Sequence, residues 1–238
     1  MAATQSPSER PSESPSESGL DTRLRDTALF VRQAFRTFRA TGAVAPSGPA
    51  LAHSLTRFID EREDPDAPLS ILEAGAGTGP VSRAIAAHMR PGDTVDLVES
   101  NAEFADYLRG LLDTDPDLAA VGDRAKVHQC LVHEMGPDRR YDVIISGLPF
   151  ANFTAEEVRG ILEYYFSVLR PGGHLSFFGY LYTKQVKAVI APREDYLRQA
   201  RSSWVVEEWV NRYGIDTVRV LPNLPPAWIH HLRKPLDD

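Results

Sequence analysis

The chain has 238 residues, 42% hydrophobic and 25% charged, which is the composition of an ordinary globular protein with one well-buried core and a tail. Its formal net charge of -7 argues against a general polyanion binder, because a protein gripping RNA over a broad face carries a basic excess. Cys130 is the single cysteine, so an internal disulfide is excluded and a reducing cytoplasm suits the chain. No apolar run approaches the roughly 20 residues of a membrane span, and the first residues lack a signal-peptide core. The expectation is a cytoplasmic protein, soluble or peripheral to a membrane.

Residues 1–20 hold six serines, three prolines and three glutamates, with almost nothing to bury. Such a segment cannot offset its ordering entropy and reads as a disordered tail. Residues 21–69 read as an N-terminal helix and cap region. In the helix, from 21 to 40, Leu24, Ala28, Val31, Phe35 and Phe38 recur at steps of four and three on one face. Arg25, Arg32, Arg36 and Arg39 fall within a sector of about 60° beside that face. This segment carries +3, against -8 for everything beyond residue 40. Two readings stay open: an amphipathic helix on an anionic membrane surface, with Arg32, Arg36 and Arg39 meeting phosphates, or a helix docked on its own domain with a solvated arginine edge. Gly42 and Pro46 end it. Residues 50–60 read as a second helix with Leu51, Leu55 and Phe58 on one side, and the charged run from Asp60 to Pro68 reads as a loop.

From residue 70 to the end, strands and helices alternate. Apolar runs at Ile71–Ala74, Val95–Val98, Lys126–Leu131, Val143–Ser146 and Leu175–Gly179 predict five strands, with helices over 80–89, 101–113 and 155–169 between them. That alternation means parallel pairing with right-handed crossovers. Pro171-Gly172-Gly173 marks a tight turn into the fifth strand. After a helix near 193–211, Thr217–Leu221 and Trp228–Leu232 read as two final strands, whose short connection permits only an antiparallel pair. The expected fold is α/β: a Rossmann-like, doubly wound seven-stranded sheet of five parallel strands and a closing antiparallel pair, with helices on both faces.

The first strand ends in Leu72-Glu73-Ala74-Gly75-Ala76-Gly77-Thr78-Gly79-Pro80, and a helix follows. Glycines here permit a sharp turn and close backbone approach to a ligand at the helix start. Glu99 lies twenty positions beyond Gly79, at the end of the second strand, where a carboxylate accepts hydrogen bonds from two ribose hydroxyls. Nucleotide dehydrogenases share this logic but prefer a glycine at the place of Pro80. The acid two residues before the first glycine, Glu73, is a methyltransferase feature, able to orient the methionine end of S-adenosylmethionine. The expected cofactor set is therefore Glu73, Gly75, Ala76, Gly77, Gly79, Glu99, Ser100 and Asn101, joined by Cys130, Leu131, Ser146 and Gly147 from the ends of strands three and four. Cys130 stands where such enzymes often place an aspartate for the adenine amino group, which leaves backbone groups of Cys130 and Leu131 to frame the ring. No metal is expected. His128 and Cys130 share a strand face but His133 lies past its end, and His230 and His231 point to opposite faces.

The fourth strand runs into Ser146-Gly147-Leu148-Pro149-Phe150, across the topological switch point from the glycine loop. Together with Gly42-Ala43-Val44-Ala45-Pro46-Ser47 and Asn223-Leu224-Pro225-Pro226-Ala227, this segment resembles bacterial phospholipid N-methyltransferases over roughly residues 22–233. The resemblance implies stepwise methylation of phosphatidylethanolamine towards phosphatidylcholine at the inner face of the cytoplasmic membrane, with Ser47 closing over the cofactor. It also implies an acceptor pocket shaped by Pro149. Phe150 is then a candidate to hold a methylated cation on its ring, and Tyr180 and Tyr182 are candidates to accept hydrogen bonds from the head group. Two other functions stay open: a nucleic-acid adenine N6-methyltransferase, disfavoured by the acidic charge, and a membrane-binding protein that keeps the fold without turnover.

Overall fold

The computed structural model describes residues 48–180, 193–221 and 226–236, apart from the side chains of 180 and 193–199. The tail at 1–20, the arginine-bearing helix at 21–40, the motif at 42–47 and most of the motif at 223–227 lie outside the described residues.

Seven strands form one sheet in the order β3-β2-β1-β4-β5-β7-β6. They are β1 (Ser70–Ala74), β2 (Thr94–Val98), β3 (Ala125–His128), β4 (Tyr141–Ser146), β5 (Leu169–Tyr180), β6 (Gly214–Val220) and β7 (Ala227–Arg233). The first five pair in parallel, and β7 runs antiparallel to both β5 and β6. The sheet expected from the alternating pattern is the sheet observed.

Strand alternation sends side chains into two cores. Ile71, Val95, Leu97, Val143 and Ile145 join one core with residues of α1 (Pro49–Leu55), α2 (Arg57–Asp60), α3 (Pro80–His88) and α4 (Ala102–Thr114). Leu72, Ala74, Val98 and Ile144 join the other with α6 (Ala155–Val168) and α7 (Arg193–Tyr213). A short α5 (Pro116–Ala119), capped by the Asp115 side chain, follows α4.

The single helix expected over 50–60 is two. The chain breaks at Thr56, whose hydroxyl bonds back to the Ala52 carbonyl at 3.1 Å. Leu51, Leu55 and Phe58 are all buried, as their spacing predicts. The Phe58 ring stacks on His174 of β5 at 4.1 Å and meets His231 of β7 edge-on, so α2 docks on β5 and β7. His231 bonds Ser176 through Nδ1 at 2.8 Å, while His230 on the opposite face sits by Phe177 and Thr217.

Several expected boundaries move, two of them for a local reason. β3 stops at His128, short of Cys130 and Leu131, because the Glu134 carboxylate takes the Leu131 N–H at 2.7 Å and winds the chain into a 3-10 turn over Val132–Met135. The tight turn at Pro171-Gly172-Gly173 falls inside β5. Leu169 pairs with Tyr141 but the next partner, of Val143, is His174, so the extra residues bulge out, with Gly172 at φ 78°.

Candidate active site

The glycine loop leaves β1 and crosses to α3 beside the end of β2. Gly75 and Ala76 donate their N–H groups to the Val98 carbonyl at 2.8 and 3.2 Å, which ties the loop to β2. Gly75, Gly77 and Gly79 all have positive φ. Their reasons for being glycine differ. A Cβ on Gly75 would meet Leu148 at 2.8 Å, whereas one on Gly77 would stand in open space. Gly77 thus leaves a bare backbone surface for close approach of a ligand. Gly79, left-handed at φ 82°, caps α3, and Pro80 follows at the first helical turn.

Glu99 stands at the centre of this arrangement. Its Oε2 accepts the Gly77 N–H at 2.9 Å and its Oε1 accepts the Asn101 N–H at 2.8 Å. Each carboxylate oxygen keeps a second lone pair, the number needed for two ribose hydroxyls. Burial raises the Glu99 carboxyl above its ordinary value, opposed by the backbone N–H groups of Asn101, Gly77 and Ser100. Asn101 also caps α4, accepting the Phe104 N–H at 3.2 Å. Glu73 is 1% exposed and accepts the Ser82 hydroxyl at 2.6 Å. Its carboxyl is pushed up to about 7, first by burial and further by the charge of Glu99, against the pull of the Ser82 hydrogen bond. The pairing with Ser82 was not anticipated from the sequence, although Ser82 lies nine residues on, in the first turn of α3.

The acceptor segment packs directly on the glycine loop. Gly147 donates to the Ala74 carbonyl at 2.8 Å, and a Cβ on Gly147 would come within 2.7 Å of the Gly75 carbonyl oxygen. Main chain cannot yield at that contact. Gly147→Ala is therefore expected to lower cofactor affinity at least tenfold and to cost about 1–3 kcal/mol of stability, as overpacking does. Titration calorimetry and thermal melting check both, and an unchanged affinity would show that the two loops are not one site. Ser146 is fully buried, and the Tyr165 hydroxyl donates to its Oγ at 3.0 Å. Pro149 opens the 3-10 turn Phe150–Asn152. The Phe150 ring is 5% exposed and packs edge-on against Phe177 at 5.2 Å, so the structure places it in the core as an anchor of this loop. β5 ends at Tyr180, whose main chain pairs with Ala227 at the same edge of the sheet. Tyr182, Ser47, Arg32, Arg36 and Arg39 lie outside the described residues.

At the β3 end, Cys130 is half-buried and burial raises its thiol further. The N–H and carbonyl of Leu131 are both taken by Glu134, at 2.7 and 2.9 Å. His128 is bound to Asp96 at 2.6 Å, and Asp96 also accepts Arg139 and the Tyr141 hydroxyl. Among the described residues no cluster of His, Cys, Asp or Glu has the geometry of a metal site, and no helix is long and apolar enough to cross a membrane.

Residues 71–173 match the family model described as a methyltransferase domain. With the parallel sheet, its antiparallel closing pair and the glycine loop held by a buried acid just past β2, this defines the class: the chain is a class I S-adenosylmethionine-dependent methyltransferase. It is similar to the ornithine lipid N-methyltransferase of Singulisphaera acidiphila, with 27% identity over 213 residues, 88% of this chain and 97% of that protein. Among solved structures it shares the fold of an O-methyltransferase from Bacillus cereus in complex with SAH, at TM-score 0.60 and 15% identity over 91% of this chain and 97% of that one. It also shares the fold of the O-methyltransferase TomG from Streptomyces achromogenes in complex with SAM, at TM-score 0.57 and 14% identity over 86% and 89%.

Proposed function

We propose that this protein N-methylates the primary amine of a membrane lipid, with phosphatidylethanolamine as substrate and phosphatidylcholine as the direction of the reaction. The observation that supports the reading is the Ser146–Phe150 segment seated on the glycine loop through Gly147; in this proposal the segment shapes the acceptor pocket beside the cofactor. The similarity to an ornithine lipid N-methyltransferase supports an aminolipid acceptor and makes ornithine lipid the second substrate to test.

The bound cofactor supplies an activated methyl group on a sulfonium. What remains for the chain is to align a neutral amine with that group and to exclude water. An ammonium has no lone pair, so the head group must lose its proton before transfer. Tyr180 and Tyr182, at and just past the end of β5, are the proposed hydrogen-bond acceptors for the head group. Phe150 and Pro149 give the loop its shape, Phe150 from inside the core. The arginines at 32, 36 and 39 are proposed to bring the site to an anionic membrane surface.

The test is transfer of labelled methyl from S-adenosylmethionine into four acceptors: vesicles of phosphatidylethanolamine with anionic lipid, vesicles with ornithine lipid, free ethanolamine, and structured RNA. Label is expected in extractable lipid and in neither free ethanolamine nor RNA. Turnover on anionic vesicles should fall with salt, since surface charges are screened over about 10 Å at 0.1 M. Label in ornithine lipid alone moves the substrate, while label in RNA alone removes the lipid reading.

A further inference from the structure

Glu73 occupies an unusual place for a carboxylic acid. It lies near the end of β1, 1% exposed, with one hydrogen-bond partner, the Ser82 hydroxyl at 2.6 Å, itself 1% exposed. The charged group whose field bears on it is a second buried acid, Glu99, just past the end of the neighbouring β2. The nearest basic residue along α3, Arg83, is engaged by Asp115 at 2.6 Å. Among the described residues neither Glu73 nor Glu99 has a cationic partner. Two buried carboxyl groups without a cation are costly when both are ionised, and one of them keeps a proton until a positive charge arrives. Glu99 has backbone N–H donors that favour its anion, whereas Glu73 has only the serine. The proton therefore resides on Glu73, and its carboxyl near 7 agrees with that assignment.

We propose that Ser82 is a positioning residue for cofactor capture: its hydroxyl fixes the Glu73 carboxyl as the counter-charge for the ammonium at the methionine end of the cofactor, and a proton leaves Glu73 for solvent when the cofactor binds. This rests on the cofactor assignment above and adds a linked proton and a residue to it. The step balances simply. The Glu73 O–H bond breaks, the proton goes to buffer, and the carboxylate faces the incoming cation. Ser82 donates to the anion, so it favours release.

The experiment is calorimetric titration of the full chain with S-adenosylmethionine at pH 7 in two buffers of different ionisation enthalpy, followed by affinity from pH 6 to 9. Wild type is expected to release about half a proton more than Glu73→Gln, the share protonated when pH and carboxyl pKa coincide. The cofactor's own amino group, ordinarily near 7.7–8.0, is already mostly protonated at pH 7, so its uptake on meeting Glu73 is below about 0.2 proton and smaller than the release expected from Glu73. Ser82→Ala should shift the pH dependence of affinity upward by about one unit, binding about fivefold more weakly at pH 7 and recovering by pH 9, with Ser82→Thr close to wild type. A purely structural role would weaken binding equally at every pH. Equal proton counts for wild type and Glu73→Gln overturn the proposal, as does a pH-independent loss in Ser82→Ala. Should Ser82→Ala not fold, the Glu73→Gln comparison still decides. Absence of binding heat in wild type at every pH would instead remove the cofactor assignment, so the two failures are distinguishable.

Discussion

Glu99→Ala is expected to weaken S-adenosylmethionine binding by more than a hundredfold while leaving the chain folded. Both carboxylate oxygens already serve the protein, one on Gly77 and one on Asn101, and each retains a lone pair for a ribose hydroxyl. Hydrogen bonds to a charged acceptor contribute about 1.5–3 kcal/mol each, so losing two removes about 3–6 kcal/mol. At 1.4 kcal/mol per tenfold, even the lower bound exceeds a factor of about one hundred. The variant also leaves the Gly77 N–H without its acceptor, which loosens the loop that presents bare backbone to the ligand. Glu99→Gln separates these effects. It keeps the shape and one acceptor but turns an NH2 group towards donors, so affinity should fall between wild type and Ala. Folding should survive in both, because the carboxylate is held against its own desolvation and its removal relieves that cost. Titration calorimetry on protein with a wild-type circular dichroism spectrum is the check. Undiminished affinity in Glu99→Ala would mean the ribose is held elsewhere.

The same region explains what was legible in the sequence. The glycine loop and Glu99 could be found because their spacing follows from a strand–turn–helix unit whose ends must meet. Gly75, Gly77 and Glu99 do meet, within hydrogen bonds that join β1 to β2. The parallel strands at the centre of the sheet were legible because buried parallel strands read as continuous apolar runs. The end of β3 was not, since Lys126–Leu131 stays apolar enough to continue and the stop comes from one side chain, Glu134, folding back on Leu131. The resemblance makes Phe150 a candidate to hold a methylated cation. Its burial against Phe177 depends on β5, 27 residues on, which local pattern does not report. The break at Thr56 likewise depends on a hydroxyl choosing a carbonyl of its own helix. Tertiary partners with no fixed sequence offset were the part that pattern alone did not carry.

Arg62 is the clearest case, and removing it should produce the largest loss of stability. In the sequence it sits in the charged run from Asp60 to Pro68, which looks like a solvated loop. In the structure its side chain is 3% exposed and grips Asp93, 0% exposed, with Nη1 to Oδ1 at 3.0 Å and Nη2 to Oδ2 at 2.7 Å. Arg62 also donates to the Ile59 and Ala67 carbonyls, and Asp93 also accepts the N–H groups of Leu69 and Arg90. The pair thus staples α2 and its loop to the starts of β1 and β2. Burial alone would raise the Asp93 carboxyl, but Arg62 and the two N–H groups hold it below its ordinary value. Arg62→Ala leaves that buried charge unpaired, which costs about 3–5 kcal/mol. For a domain of this size the melting temperature should fall by about 2–4 °C per kcal/mol. The sign with pH follows. Wild-type Asp93, with a depressed folded pKa, contributes stability above its unfolded value that is lost as pH falls through the folded one. In Arg62→Ala, burial unopposed by the guanidinium raises the carboxyl, so acidification protonates the orphan and the gap to wild type narrows. Denaturant unfolding at pH 7 and pH 5 should show a smaller difference at pH 5. Asp93 precedes β2 and Glu99 follows it, about 20 Å apart along a strand at 3.3 Å per residue, so cofactor affinity of the folded variant should stay within about twofold of wild type. A gap of under 1 kcal/mol at pH 7, or one that widens on acidification, would show that the pair does not hold the cap as its geometry implies.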